Sequence, residues 1–170
     1  VDHALAAWIA CLHVPTVDSV MRAVTFFGSS VWTAAALALI GLWACRRNGV
    51  PAALVVAGAF LVGLGIEIAL RFLIPHWRPD TTTVPTTIDL MTRFHLAGFP
   101  SGHGFRSAFV FGYLARRWHG VHRHWGARAA LCSFLLIGLV GISRVYLGRH
   151  WPSDVLGSWL VALIALNLVR

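Results

Sequence analysis

Residues 51–74 read PAALVVAGAFLVGLGIEIALRFLI, a run whose only charged side chains are Glu67 and Arg71. An α-helix rises 1.5 Å per residue, so about 20 mainly apolar residues cross a hydrocarbon layer roughly 30 Å thick. The run meets that length and predicts a membrane-crossing helix. Its two charges stand four positions apart, on one helical face, where an acid and a base pair locally. An acid inside such a run is also a functional candidate in its own right, because charge is costly there.

Four further apolar stretches lie outward from this one: Val24–Cys45, Gly98–Ala115, Ala127–Tyr146 and Trp151–Val169. Val24–Cys45 is long enough to span by itself. The other three have short strictly apolar cores, Phe109–Ala115, Ala129–Ile142 and Val155–Leu166, yet almost no long polar segment separates them. Together they predict an all-α, polytopic membrane helical bundle of about five transmembrane helices, forming a single domain over residues 1–170. The segment Ala4–Leu12 is too short to span and is expected to be either the tail of a truncated helix or a short interfacial one. A chain that starts at Val1 is expected to be trimmed or processed, so a first span is among the things it can have lost.

Composition agrees with a bilayer. Hydrophobic residues make up 58% and charged residues 12%, against about a quarter charged in soluble domains. The formal charge of +8 fits nucleic acid, anionic lipid or a phosphorylated substrate, and the positions of the arginines decide among them. Cys11, Cys45 and Cys132 are odd in number and widely spaced, giving neither a disulfide framework nor a metal-site spacing.

If each stretch crosses once, the connections Arg46–Gly49 and Arg116–Arg128 share one side with Arg170. Arg46, Arg47, Arg116, Arg117, Arg123 and Arg128 make that side cytoplasmic by the positive-inside tendency. The opposite side nonetheless holds Arg71, Arg78, Arg93, Arg144 and Arg149, which topology does not explain. Three short segments meet there: Arg71 to Pro79, Pro100-Ser101-Gly102-His103, and Ser143-Arg144 followed by His150 and Asp154.

Arg71, Arg78 and Arg144 are permanent cations whose forked donors match phosphate oxygens. Grouped with little acid nearby, they call for an anion between them, which favours a phosphorylated ligand at a membrane surface over nucleic acid. Ser101 and Gly102 precede a helix, whose positive end is an anion site. His150 and Asp154 are four apart and share a face once the last helix has begun. A carboxylate on one imidazole nitrogen fixes the tautomer and leaves the other nitrogen free to attack. His103 brings a second imidazole suited to acid–base work near neutral pH.

These segments resemble the type 2 phosphatidic acid phosphatase superfamily. Its signature is a basic residue, six others and Arg-Pro, then Pro-Ser-Gly-His, then Ser-Arg, five others, His, three others and Asp. The chain carries every element in order from Arg71 to Asp154, about half its length, and agrees with the family in the remainder only in hydropathy. The first basic position is commonly Lys in the family and is Arg71 here, which keeps the charge but replaces a point charge with a fork. The resemblance implies that His150 attacks phosphorus and forms a phosphohistidine, that Asp154 orients it, and that His103 protonates the leaving oxygen and then activates water. It implies that Arg71, Arg78, Ser101, Gly102 and Arg144 hold the phosphoryl oxygens. It also implies a reaction on a lipid phosphate or pyrophosphate with no metal and no cofactor; the charge placement puts the site on the outer face, and the compact size suggests a bacterial plasma membrane.

Glu67, Arg106 and His95 are secondary candidates, Glu67 as the helical partner of Arg71. His76, Arg93 and Arg149 join His95 on the outer connections, either reading a headgroup or simply solvated. Trp118 to Trp125, with His119, His122 and His124, reads as a basic interfacial loop with aromatic anchors on the other side. Thr81–Thr87 reads as a small flexible loop. Other functions remain open from the residues alone: a phosphotransferase of the same family, a vanadium-dependent haloperoxidase sharing the three motifs, and an outward-facing anion transporter. Hydropathy opposes the second, and the third leaves the His150–Asp154 spacing unexplained. The particular lipid and the oligomeric state are not legible.

Overall fold

The computed structural model of the protein describes residues 2–10, 14–79, 90–121 and 123–169, the side chains at 6, 7, 10, 90, 93, 119–121 and 123–125 excepted. Cys11, the Thr81–Thr87 loop, the Arg93 side chain and the side chains of the His119–Trp125 run fall outside that description. Among the described residues eight α-helices follow one another: α1 (Asp2–Ala10), α2 (Pro15–Thr25), α3 (Ser30–Asn48), α4 (Val50–Leu73), α5 (Leu90–Leu96), α6 (Gly102–Val121), α7 (Arg123–Tyr146) and α8 (Pro152–Asn167). Among the described residues the sole β-type pairing is an isolated bridge between Trp77 and Ala97. The protein is an all-α membrane bundle.

The apolar run over residues 51–74 forms nearly all of α4, with Pro51 in its first turn, where a missing N–H leaves no bond unmade. The stretch Val24–Cys45 is not one straight helix. α2 ends at Thr25, a 3-10 turn covers Phe26–Gly28, and α3 leaves at a bend of 44°. The break is local chemistry: Ser29 is extended, and its Oγ accepts the Trp32 N–H at 3.3 Å, capping a new helix.

α6 and α7 run beyond the expected apolar bounds because hydropathy marks the lipid-compatible part of a helix and not its last hydrogen bond. Arg116 near the end of α6 donates to the Leu166 carbonyl at 2.6 Å, satisfying an end of α8. Among the described residues, α4 and Gly126–Tyr146 are each long and apolar enough to cross a bilayer, and α2–α3 joins them if the bent pair counts as one span. α6 is interrupted by Arg106, Arg116 and Arg117, and α8 has 16 residues, so neither meets that test alone. α1, nine residues long, docks on the start of α8, with the His3 ring 4.4 Å from the Trp151 ring.

Phe105, Phe109, Val110 and Val140 are fully buried at the centre. Lipid offers no hydrophobic drive between helices, so close packing must hold them. A Cβ on Gly63 would stand 2.6 Å from the Phe105 ring and 2.8 Å from Ala165 Cβ, which shows how closely α4, α6 and α8 approach. Large apolar side chains such as Leu39, Leu61, Phe134 and Leu160 point outward. The up-and-down order brings the end of α4, the start of α6, the end of α7 and the start of α8 to one face of the bundle.

Candidate active site

The turn from α7 into α8 sets two side chains. Gly148 takes φ +65°, a left-handed conformation suited to glycine. The chain then folds back so that the N–H groups of Arg149 and His150 both donate to the Arg144 carbonyl, at 3.0 and 3.2 Å. Arg144 and His150 are thereby fixed together. Pro152 opens α8, and Asp154, at its third position, accepts the Trp151 N–H on Oδ2 at 2.8 Å. His150 is 2% exposed and Asp154 fully buried. The His150 Nδ1 lies 3.4 Å from Asp154 Oδ2 without an aligned hydrogen bond. Such bonds are often long before substrate binds and tighten in the loaded complex.

Asp154 has another imidazole neighbour. His76 Nδ1 lies 2.7 Å from Oδ1, although the sequence placed this histidine on an outer connection, reading a headgroup or solvated. Spacing within a helix cannot reveal a contact between positions 76 and 154. The one hint was a titratable side chain inside the Arg71–Arg78 segment.

The Pro100–His103 turn is built against the same carboxylate residue. The Ser101 N–H donates to the Asp154 carbonyl at 3.0 Å, so that amide is already engaged. The Ser101 Oγ accepts the Gly104 N–H at 3.4 Å as the cap of α6 and keeps its own O–H to donate. His103 opens α6 within electrostatic reach of Arg144, Arg106, His150 and Arg78. A Cβ on Gly102 would come within 2.9 Å of Glu67 Oε1 and 3.3 Å of Arg106 Nη2. The absent side chain there lets the acid and the guanidinium tuck beneath the turn.

The basic residues are held by different means. Arg71, buried, donates through Nη2 to Glu67 Oε1 at 2.7 Å and to the Pro100 carbonyl at 3.2 Å, with its guanidinium 4.8 Å from the Phe94 ring centre. The expected Glu67–Arg71 pair is therefore formed. Arg78 belongs to the segment after α4, tied down by its N–H to the Leu96 carbonyl at 3.2 Å. Arg144 donates to Thr25 Oγ1 at 3.1 Å, a link to α2 that no motif announced. His95 stands apart: it is exposed on α5 and bonded to its own Met91 carbonyl at 2.7 Å.

Burial is the main reason that the His150 imidazole is pushed below its ordinary range. Arg144 and Arg78 push the same way, and Asp154 opposes them. The ring is thus neutral at pH 7, with a lone pair available for attack.

The chain is similar to several known proteins. The family model described as the PAP2 superfamily matches residues 51–170. Phosphatidylglycerophosphatase B of Bacillus subtilis is 25% identical over 99% of this chain and 81% of its own length. Undecaprenyl-diphosphatase BcrC, also of Bacillus subtilis, is 29% identical over 89% of this chain and 72% of its own. The crystal structure of a transmembrane PAP2 type phosphatidylglycerolphosphate phosphatase from the same organism superposes with a TM-score of 0.81 at 26% identity. It covers 99% of this chain and 82% of that one.

Proposed function

Since the chain belongs to the PAP2 superfamily, we propose that it removes phosphate from a lipid phosphate or pyrophosphate through a phosphohistidine on His150. The protein is an integral membrane phosphoric ester hydrolase. The observation that carries the finer reading is a buried His150 whose Nδ1 faces Asp154 while Arg144 and Arg78 lie within electrostatic reach.

In the first step the lone pair of His150 Nε2 attacks phosphorus. An N–P bond forms, the P–O bond to the lipid breaks, and the leaving oxygen takes a proton from His103, which the negative charge of the bound phosphate holds as imidazolium among the arginines. Asp154 stabilises the imidazole Nδ1–H as positive charge develops. In the second step water attacks phosphorus, His103 takes the water proton, and the N–P bond breaks to release inorganic phosphate and restore neutral His150. Arg71, Arg78 and Arg144, with the Ser101 hydroxyl and the first amides of α6, neutralise the phosphoryl oxygens throughout. A preorganised cationic set of this kind performs much of the work of phosphoryl transfer.

The site faces the extracytoplasmic side in this reading. Arg46, Arg47, Arg116 and Arg117 occupy the other end of the bundle, where Arg117 also sits 5.2 Å from the Trp43 ring centre. A lipid would enter sideways, its tail in the bilayer and its phosphate among the arginines.

A panel of lipid phosphates and pyrophosphates in detergent, assayed with wild type and His150→Ala, tests the proposal. Wild type should release phosphate with chelator present and accumulate an acid-labile phosphoryl group in a rapid quench. His150→Ala should do neither. Phosphate release by His150→Ala at the wild-type rate would remove the nucleophile from its role. Transfer to an added lipid alcohol in preference to water would instead identify a phosphotransferase.

A further inference from the structure

Asp154 serves more donors than the single histidine expected from the spacing. Oδ2 receives the Trp151 N–H at 2.8 Å and faces His150 Nδ1 at 3.4 Å, while Oδ1 faces His76 Nδ1 at 2.7 Å. A carboxylate has about four acceptor sites, so its hydrogen bonds with Trp151 and His76 leave room for His150 Nδ1. They do fix its plane. The terminal torsion of an aspartate is broad and two-fold, and a carboxylate held at one oxygen can still turn about its Cβ–Cγ bond.

The segment that brings His76 is itself strapped down. The His76 carbonyl accepts the Gly98 N–H at 2.6 Å, and the Trp77 carbonyl accepts the Trp151 indole N–H at 2.8 Å. Outside this strap lies a cavity of about 530 Å³ lined by Asp2, His3, Pro75, His76, Trp77 and Trp151. His76 thus stands between a fully buried carboxylate and an open, polar space. Without its ring, water from that space would reach Oδ1 and would not hold it in one orientation.

We infer that His76 is a positioning residue of the nucleophile: by fixing Asp154 through Oδ1 it keeps Oδ2 directed at His150 Nδ1. His150 is then locked as the Nδ1–H tautomer, its Nε2 lone pair turned toward phosphorus. The inference rests on the phosphohistidine reading and adds a residue to it.

Three proteins decide the matter: wild type, His76→Ala and His76→Asn, the last placing an amide N–H close to where Nδ1 stands. Partners one step removed from the reacting group commonly account for about 10-fold to 100-fold in activity. His76→Ala should lose at least about 10-fold in kcat with KM within about twofold, and His76→Asn should recover most of the loss. Nitrogen-15 histidine spectra in detergent should show His150 as one Nδ1–H tautomer in wild type and His76→Asn, and as a tautomer mixture in His76→Ala.

An unchanged His150 tautomer in folded His76→Ala overturns the inference. So does equal impairment of both variants, which would mark a packing role. If His76→Ala does not fold, the tautomer in His76→Asn decides, and a mixture there sinks the idea. Should wild type hydrolyse none of the lipids while the His150 signal still follows position 76, the phosphatase reading fails and the positioning contact stands.

Discussion

The backbone N–H of Ser101 donates to the carbonyl of Asp154 at 3.0 Å, so the turn before α6 and the residue whose carboxylate faces His150 are joined by main chain. The Ser101 hydroxyl, buried beside this link, caps α6 through the Gly104 N–H and keeps its own O–H to donate, in the proposed reaction to a phosphoryl oxygen. Ser101→Ala should therefore have two separable effects. Loss of the cap should cost about 1 kcal/mol of stability, read as a lower Tm in detergent. Loss of a hydrogen bond to a charged group should lower kcat/KM by about 10-fold to 100-fold. A variant that loses stability but keeps kcat/KM would show that the hydroxyl does not touch substrate.

The burial of His150 sets the acid side of the pH profile. Its ring is pushed below the ordinary imidazole range, by desolvation first and then by Arg144 and Arg78. A lowered value means that the neutral imidazole survives to more acidic pH than a free histidine would allow. Once the ionisation of the substrate phosphate is taken into account, kcat/KM should hold through about pH 6.5 and fall only below it. Arg144→Gln removes one of the two repelling cations and should shift that acid limb upward, besides weakening substrate. A limb that moves downward would contradict the sign of the interaction.

Glu67 and Arg71 form a buried pair at 2.7 Å within α4. Removing one partner of such a pair leaves an uncompensated charge and commonly costs about 3–5 kcal/mol. Glu67→Ala should accordingly lower Tm far more than Arg71→Lys, which keeps the charge. Arg71→Lys replaces the fork that now bonds both Glu67 and the Pro100 carbonyl. Its effect should fall on KM, by several-fold, with kcat nearly unchanged, because a misplaced cation weakens binding of ground state and transition state alike. Equal Tm losses in the two variants would deny Glu67 its role as the fixed support.

How far the sequence could reach follows from the range of each interaction. α4 was legible because one apolar run is one helix, and the Glu67–Arg71 pair because four residues make a turn. The three motif segments could be placed at one end because alternate crossings must put them there. The bend at Phe26–Ser29 was hidden, since apolar character continues across it while the hydrogen bonds do not. The pairing of His76 with Asp154, and of Arg144 with Thr25, was hidden for a different reason. Each joins residues far apart in sequence, through loops whose path no periodicity encodes.

The sidedness of the bundle supplies the last prediction. Arg149 is exposed on the turn between α7 and α8, at the end that holds His150, and Arg47 is exposed at the end of α3, opposite it. In a background without Cys11, Cys45 and Cys132, Arg149→Cys and Arg47→Cys each provide one thiol at a known end. Neither side chain is placed among the groups that bind phosphate. If the arginine-rich connections lie in the cytoplasm, a membrane-impermeant maleimide added to intact cells should label Arg149→Cys and leave Arg47→Cys unmodified until the membrane is opened. The reverse pattern would place the phosphate site on the cytoplasmic face. Lipid substrate would then have to come from the inner leaflet, with the arginines of Arg46–Arg47 and Arg116–Arg117 standing outside against the usual bias.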